Sequence, residues 1–148
     1  DEYFFVTVGD QFWEQAIYQE MMDLHQKTGQ AVIQLAQVPR EEVSKYGVVD
    51  IQDGEIVDMV EKPAIEDAPS DLISQGLYIL PQEFFQAVQD TPVDPSKWEI
   101  VMPDVLLRLR ELWHKLLPYI SPYKMRDVGT TELWLQTNNG LAERNWKV

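Results

Sequence analysis

The chain has no cysteine among its 148 residues, which excludes a disulfide framework and any thiolate zinc site. It has only two histidines, His25 and His114, and neither has a second His at metal-ligand spacing. No Ser–His–Asp arrangement, no G-x-G-x-x-G and no G-x-x-x-x-G-K is readable. Positive charge is also scarce: 12 Lys and Arg stand against 25 Asp and Glu, a formal charge of -13. That balance argues against a nucleic-acid groove and against an anionic membrane surface, since both select Lys and Arg. It does not exclude phosphorylated small molecules, because one lysine or one divalent cation reverses the local sign. No apolar run reaches the roughly 18 residues of a membrane-spanning helix. There is no internal repeat and no low-complexity segment. The first residues, Asp1-Glu2, carry no initiator Met, basic leader or cleavage site, so the chain reads as cut from something longer. A reducing, cytoplasmic location is the expectation.

What is present is a hydrophobic content of 45%, enough for one packed domain over residues 1–148. Residues 2–8 (E-Y-F-F-V-T-V) read as a buried strand closed by Gly9-Asp10. Trp13, Ile17, Met21 and Leu24 then fall on one helical stripe that stops at Gly29. Residues 31–37 read as a second strand, making a βαβ unit with a parallel pair. Residues 47–52 and 55–60 flank Asp53-Gly54 as a hairpin. Residues 62–71 read as a loop, 72–80 as a strand, and Phe84, Phe85 and Val88 as a short helix. Residues 90–97 read as a loop, and Trp98, which follows it, is the candidate interface residue. Val105, Leu109, Leu112 and Leu116 form another helical stripe, started near Pro103 or Asp104 and ended by Pro118. A last helix covers residues 131–144. The fold class is α/β, with a mixed sheet flanked by helices.

Several residues suit chemistry. Asp10 ends a strand, where open α/β sheets bind ligands, and either holds a cation or caps the next helix. Asp127, in R-D-V-G-T, is a turn aspartate or a second carboxylate for the same ion. Glu61-Lys62 would be an exposed pair on a continuous strand, but Pro63 ends the strand, and both side chains can then face one pocket. Gly47 and Gly76 are a turn or bulge, or positions where a ligand approaches the backbone. Ser70 reads as structural.

V-P-R-E-E-V-S-K-Y-G-V-V-D over residues 38–50, V-E-K-P over residues 60–63, Val8-Gly9-Asp10 and R-D-V-G-T over residues 126–130 together resemble the sugar-1-phosphate nucleotidyltransferases. The bacterial UTP–glucose-1-phosphate uridylyltransferases are the most similar group. The resemblance implies part of a Rossmann-like nucleotide-diphospho-sugar-transferase fold. It implies nucleotidyl transfer from UTP or dTTP to a sugar 1-phosphate such as glucose 1-phosphate, with release of pyrophosphate. Mg2+ would be held by Asp10 and Asp127, hexose by Glu61, and the anomeric phosphate by Lys62, with backbone close to the sugar at Gly47 and Gly76. Lys62, Asp10 and Asp127 would form the catalytic set.

The resemblance covers only the C-terminal half of that family and lacks its G-x-G-T-R-type nucleotide loop. The expected partners beyond the substrates are therefore an N-terminal half or further copies of the chain. The chain alone is expected to be inactive. The alternative is a non-catalytic remnant that binds sugar phosphate or protein. Val101 and Pro103 replace the Gln and Thr of the family's E-I-Q-L-T-D, Leu77 replaces the Arg of G-R-Y, and Asp71 replaces an Asn.

Overall fold

The computed structural model describes residues 2–13, 17–95, 98–112, 114–122 and 125–145. It is a three-layer α/β arrangement built on one long strand, β6 (Leu72–Pro81). The C-terminal half of β6 pairs antiparallel with β1 (Tyr3–Thr7), from Tyr3↔Pro81 to Thr7↔Leu77. Its N-terminal end pairs with β4 (Gly47–Gln52) through Val48↔Ile73. Along its other side runs β3 (Ala31–Gln37), also antiparallel, and beyond that β7 (Leu116–Ile120) lies parallel to β3. β4 continues into β5 (Glu55–Glu61), so the sheet order is β5-β4-β6-β3-β7, with β1 beside β6. β2 (Gln11–Trp13) and β8 (Met125–Asp127) form a separate small ladder.

The expected parallel pair is corrected here. β1 and β3 point the same way, but β6 lies between them, and the parallel neighbours are β3 and β7. β1 is also not fully buried: its residues alternate between half-buried and exposed at the C-terminal end, with Phe5 38% exposed. The hairpin is as expected. Asp53 and Gly54 have φ of 51° and 80°, the left-handed pair that a two-residue turn needs to match strand twist. At the start of β5 Glu55 forms an ion pair with Lys115, next to β7.

Two helical stripes are shorter than their periodicity. α1 spans Tyr18–Thr28 and closes on Gly29, at φ 65°, while Trp13 belongs to β2. α3 spans Met102–Glu111, whereas Leu116 and Pro118 lie in β7. An edge strand tolerates that proline because it needs hydrogen bonds on one side only. His114 lies after α3 rather than within it. α2 (Phe84–Asp90) and α4 (Thr131–Asn145) fall where expected.

The main core lies between the sheet and α2–α3. Ile33, Leu35, Val49, Ile56, Leu80, Leu106, Leu109 and Leu116 are fully buried there. On the opposite face α1 packs Ile17 and Met21 on Val32, Leu77 and Ile79. A third cluster joins Val43 to Ala36, Val48, Ala68 and Ile73. It anchors the short 3-10 helix Arg40–Lys45 that Pro39 introduces. Arg40 donates from Nη1 to Ser70 O (2.8 Å) and from Nη2 to Ile65 O and Ala68 O (both 2.7 Å). Ser70 Oγ in turn donates to Val49 O at 2.5 Å. Ser70 and the V-P-R motif therefore act as clamps on the loop over residues 62–71, giving its backbone carbonyls partners that regular secondary structure does not supply. No described helix is long and apolar enough to cross a membrane.

Candidate active site

Two backbone irregularities build the site. In β6, four steps from Ser74 to Tyr78 oppose only two from Leu35 to Ile33, and Gly76, at φ 71°, sits in the resulting bulge. Its carbonyl accepts the Val8 N–H at 3.0 Å, just past the end of β1. A Cβ at Gly76 would stand 2.7 Å from Val8 Cγ2, so any other residue there would have to move the Val8 side chain as well as bear the positive φ. The second irregularity ends β5. Lys62 takes φ 50° and its N–H donates to Tyr46 O at 3.0 Å. A left-handed lysine is uncommon and costs about 1 kcal/mol. It breaks the strand alternation, so Lys62 Nζ returns to within 3.6 Å of Glu61 Oε1.

Between these points lies a cavity of about 240 Å3 lined by Val8, Gln11, Lys45, Tyr46, Gly47, Met59, Glu61, Ser74, Gly76, Tyr78, Met102 and Pro103. Gly47 lets the Glu61 carboxylate close on the backbone: a Cβ there would be 3.2 Å from Glu61 Oε2. Below them Tyr78 is buried, its hydroxyl hydrogen-bonded to Ser74 Oγ at 3.0 Å. Burial pushes the Tyr78 phenol above its ordinary value, the Ser74 hydrogen bond opposes this, and the Glu61 carboxylate adds to it.

Three of the six residues singled out from sequence, Gly47, Glu61 and Gly76, therefore share one cavity. Lys62 lies beside Glu61 with its ammonium largely exposed. Asp10 is an exposed turn residue between β1 and β2, next to Gln11 and two residues after Val8, which both line the cavity. Its carbonyl accepts the Val128 N–H at 2.8 Å, and Gln11 pairs with Asp127. The backbone thus brings Asp10 alongside Asp127. The Asp127 side chain lies outside the described residues. Among the described residues no group of three or more His, Asp or Glu could hold a metal ion.

Sequence reasoning did not single out Gln11, Lys45, Ser74 or Tyr78. Gln11 Oε1 is buried without a hydrogen-bond partner among the described residues. The only signal for it was its position next to Asp10. The histidines are structural in kind: His25 Nδ1 lies 2.8 Å from Gln30 O and its ring packs on Tyr3, while His114 is 3.9 Å from Glu83. Trp98 is 86% exposed.

Comparison with known proteins adds an independent finding. The family model described as nucleotidyl transferase matches residues 1–144. A putative UTP–glucose-1-phosphate uridylyltransferase of Methanocaldococcus jannaschii is 37% identical over 145 residues, covering 93% of this chain and 50% of the relative. The UTP–glucose-1-phosphate uridylyltransferase of Pseudomonas aeruginosa is 38% identical over 134 residues, 86% of this chain and 47% of its own length. Among solved structures, apo UDP-glucose pyrophosphorylase superposes with a TM-score of 0.85 at 32% identity, covering 97% of this chain and 55% of that one. A UDP-glucose pyrophosphorylase complexed with UDP-glucose gives 0.83, also at 32% identity. The chain spans about half the length of the curated relatives it matches.

Proposed function

The chain belongs to the nucleotidyl transferase family, and from that premise we propose that it forms the sugar-phosphate side of a UTP–glucose-1-phosphate uridylyltransferase. The observation that carries this reading is the meeting of Gly47, Glu61 and Gly76 around one cavity, with Lys62 turned back beside Glu61 and Asp10 at the adjoining turn. Glu61 accepts hydrogen bonds from sugar hydroxyls, as a carboxylate with acceptors only must. Lys62 pairs with the anomeric phosphate. The glycine at position 47 lets the sugar lie against the backbone.

The reaction needs no general base, because the attacking phosphate oxygen is already anionic at neutral pH. That oxygen forms a bond to the α-phosphorus of UTP as the bond to the β-phosphate oxygen breaks, and pyrophosphate leaves with the electron pair. What the protein must do is align two mutually repelling anions and offset their charge. In this reading Asp10 and Asp127 would hold Mg2+: two carboxylates, with waters and substrate phosphates, suit that ion. Their adjacency along the backbone is compatible with this. When bound, the ion neutralises charge on the phosphates. The role of this chain's lysine is to bind and orient the sugar phosphate.

The test is calorimetric titration of the chain with UDP-glucose, in Mg2+ and then in EDTA. Saturable binding that weakens by about tenfold or more in Lys62→Ala, and again in Glu61→Ala, is expected. Binding in both variants as strong as in the parent chain would overturn the assignment.

A further inference from the structure

The face of the sheet opposite the candidate active site changes character halfway along. Under α1, strands β3 and β6 present only apolar residues, Val32, Leu77 and Ile79. One step further on they present Gln34 and Gln75, 0% and 5% exposed, whose side chains hydrogen-bond to each other. Two buried amides in place of aliphatic residues cost stability unless every polar atom finds a partner. Here they do not. Gln34 Oε1 is buried with no partner among the described residues, while Gln75 Nε2, which donates no described hydrogen bond, is not sealed in with it.

Beside this pair opens a cavity of about 700 Å3, bordered by Gln75, Ala36, Ile73, Tyr46, Gln37 and Glu42. Its walls combine an aromatic ring, aliphatic carbons and amides, the mixture that takes up the apolar faces and hydroxyls of a neutral polar ligand. Lysine and arginine are absent from its described lining, and the Glu42 carboxylate there is paired with Lys45 Nζ at 3.4 Å, so the described wall carries no unbalanced charge to hold an ion. Tyr46 also borders the candidate active site, so the two cavities share one wall while lying on opposite sides of β6.

We propose that this second cavity binds an uncharged hydroxylated molecule of the free-sugar class, its hydroxyls meeting the Gln75 amide at the edge of the buried Gln34–Gln75 pair. A hydroxyl both donates and accepts, which suits the Gln75 amide, the member of the pair that stands at the cavity wall. The inference does not depend on the transferase reading, because it uses the other face of the sheet.

The experiment is nuclear magnetic resonance of the 15N-labelled chain, following the side-chain amides of Gln34, Gln37 and Gln75. D-Glucose and, separately, glucose 1-phosphate are titrated. Glucose is expected to shift the Gln75 and Gln34 signals saturably, with the same affinity in Glu61→Gln, which alters the other cavity. Gln75→Leu is expected to weaken binding by about tenfold. Gln37→Trp, at an exposed wall position, tests the same cavity by filling it and is expected to abolish the shifts without touching the core. Glucose 1-phosphate should move the Gln75 side-chain amide far less than glucose does, because only the neighbouring Gly76 borders the other cavity. The proposal is overturned if glucose shifts neither Gln75 nor Gln34, if its binding survives Gln37→Trp unchanged, or if Glu61→Gln removes it. Equal shifts with glucose 1-phosphate would overturn the uncharged class.

Discussion

A methyl group added at Gly47 would meet the movable end of Glu61, whereas one added at Gly76 would meet Val8 at 2.7 Å and a backbone φ of 71°. The two alanine variants should therefore separate function from stability. Gly76→Ala is expected to cost about 2 kcal/mol or more, read as a fall in the urea midpoint. Gly47→Ala should change stability by only about 0.5 kcal/mol but push the Glu61 carboxylate aside and weaken UDP-glucose binding. Lys62 offers the converse test. Relieving its left-handed backbone with Lys62→Gly should raise stability by about 1 kcal/mol while removing the proposed phosphate contact. A drop in stability would show that the ammonium, and not the strain, dominates at this position.

Tyr78 gives a prediction with a sign. Its pKa in the fold lies above the ordinary 10.0, so below about pH 10 both states are neutral and the stabilisation is fully present. Above that the unfolded chain ionises first, and stability is lost as pH rises through the folded value. Urea midpoints at about pH 9 and about pH 11 should fall less in Tyr78→Phe than in the parent. A smaller slope remains from Tyr3, which burial also raises. An identical slope in parent and variant would contradict the buried, Glu61-facing phenol. Such residues were invisible in the sequence because nothing about Ser74 or Tyr78 in isolation marks them. They enter the site only through the bulge at Gly76.

Among the elements, those with a local cause were legible. The β4–β5 hairpin follows from Asp53-Gly54, and the stop of α1 from Gly29. Gly54→Ala should cost about 1 kcal/mol by placing a side chain at φ 80°, a change measurable by thermal unfolding. What misled periodicity were apolar residues at helical spacing that belong to other elements. Trp13 is one turn before α1 but sits on β2, and Leu116 continues the α3 stripe but starts β7. Spacing alone does not distinguish a longer helix from a helix followed by a strand. The three-residue strand β8 is too short to show any alternation. The family motifs were legible as sequence, yet the structure divides their labour. Arg40 and Val43 hold the loop and the 3-10 helix in place, and Gly47 and Glu61 line the cavity.

For the molecule as a whole, the sheet order was beyond local signals, because β6 pairs with β1, β3 and β4 from distant parts of the chain. Among the described residues β1 is bonded on one side only, by β6. The excess of acidic residues acts at this scale too. A net charge of -13 repels itself within the compact state, and salt screens that repulsion over about 10 Å at 0.1 M. The thermal midpoint should therefore rise with added NaCl, and a steady fall would mean that attractive surface pairs outweigh the repulsion.

The central claim, that Gly47, Glu61, Lys62 and Gly76 hold a sugar phosphate together, is tested most directly by titrating the 15N-labelled chain with glucose 1-phosphate and following backbone amides. The account predicts that Gly47, Lys62 and Gly76 shift along one saturation curve, and that Glu61→Ala and Lys62→Ala each weaken it. Shifts confined to other parts of the chain, or none at these three amides in a folded sample, would contradict it.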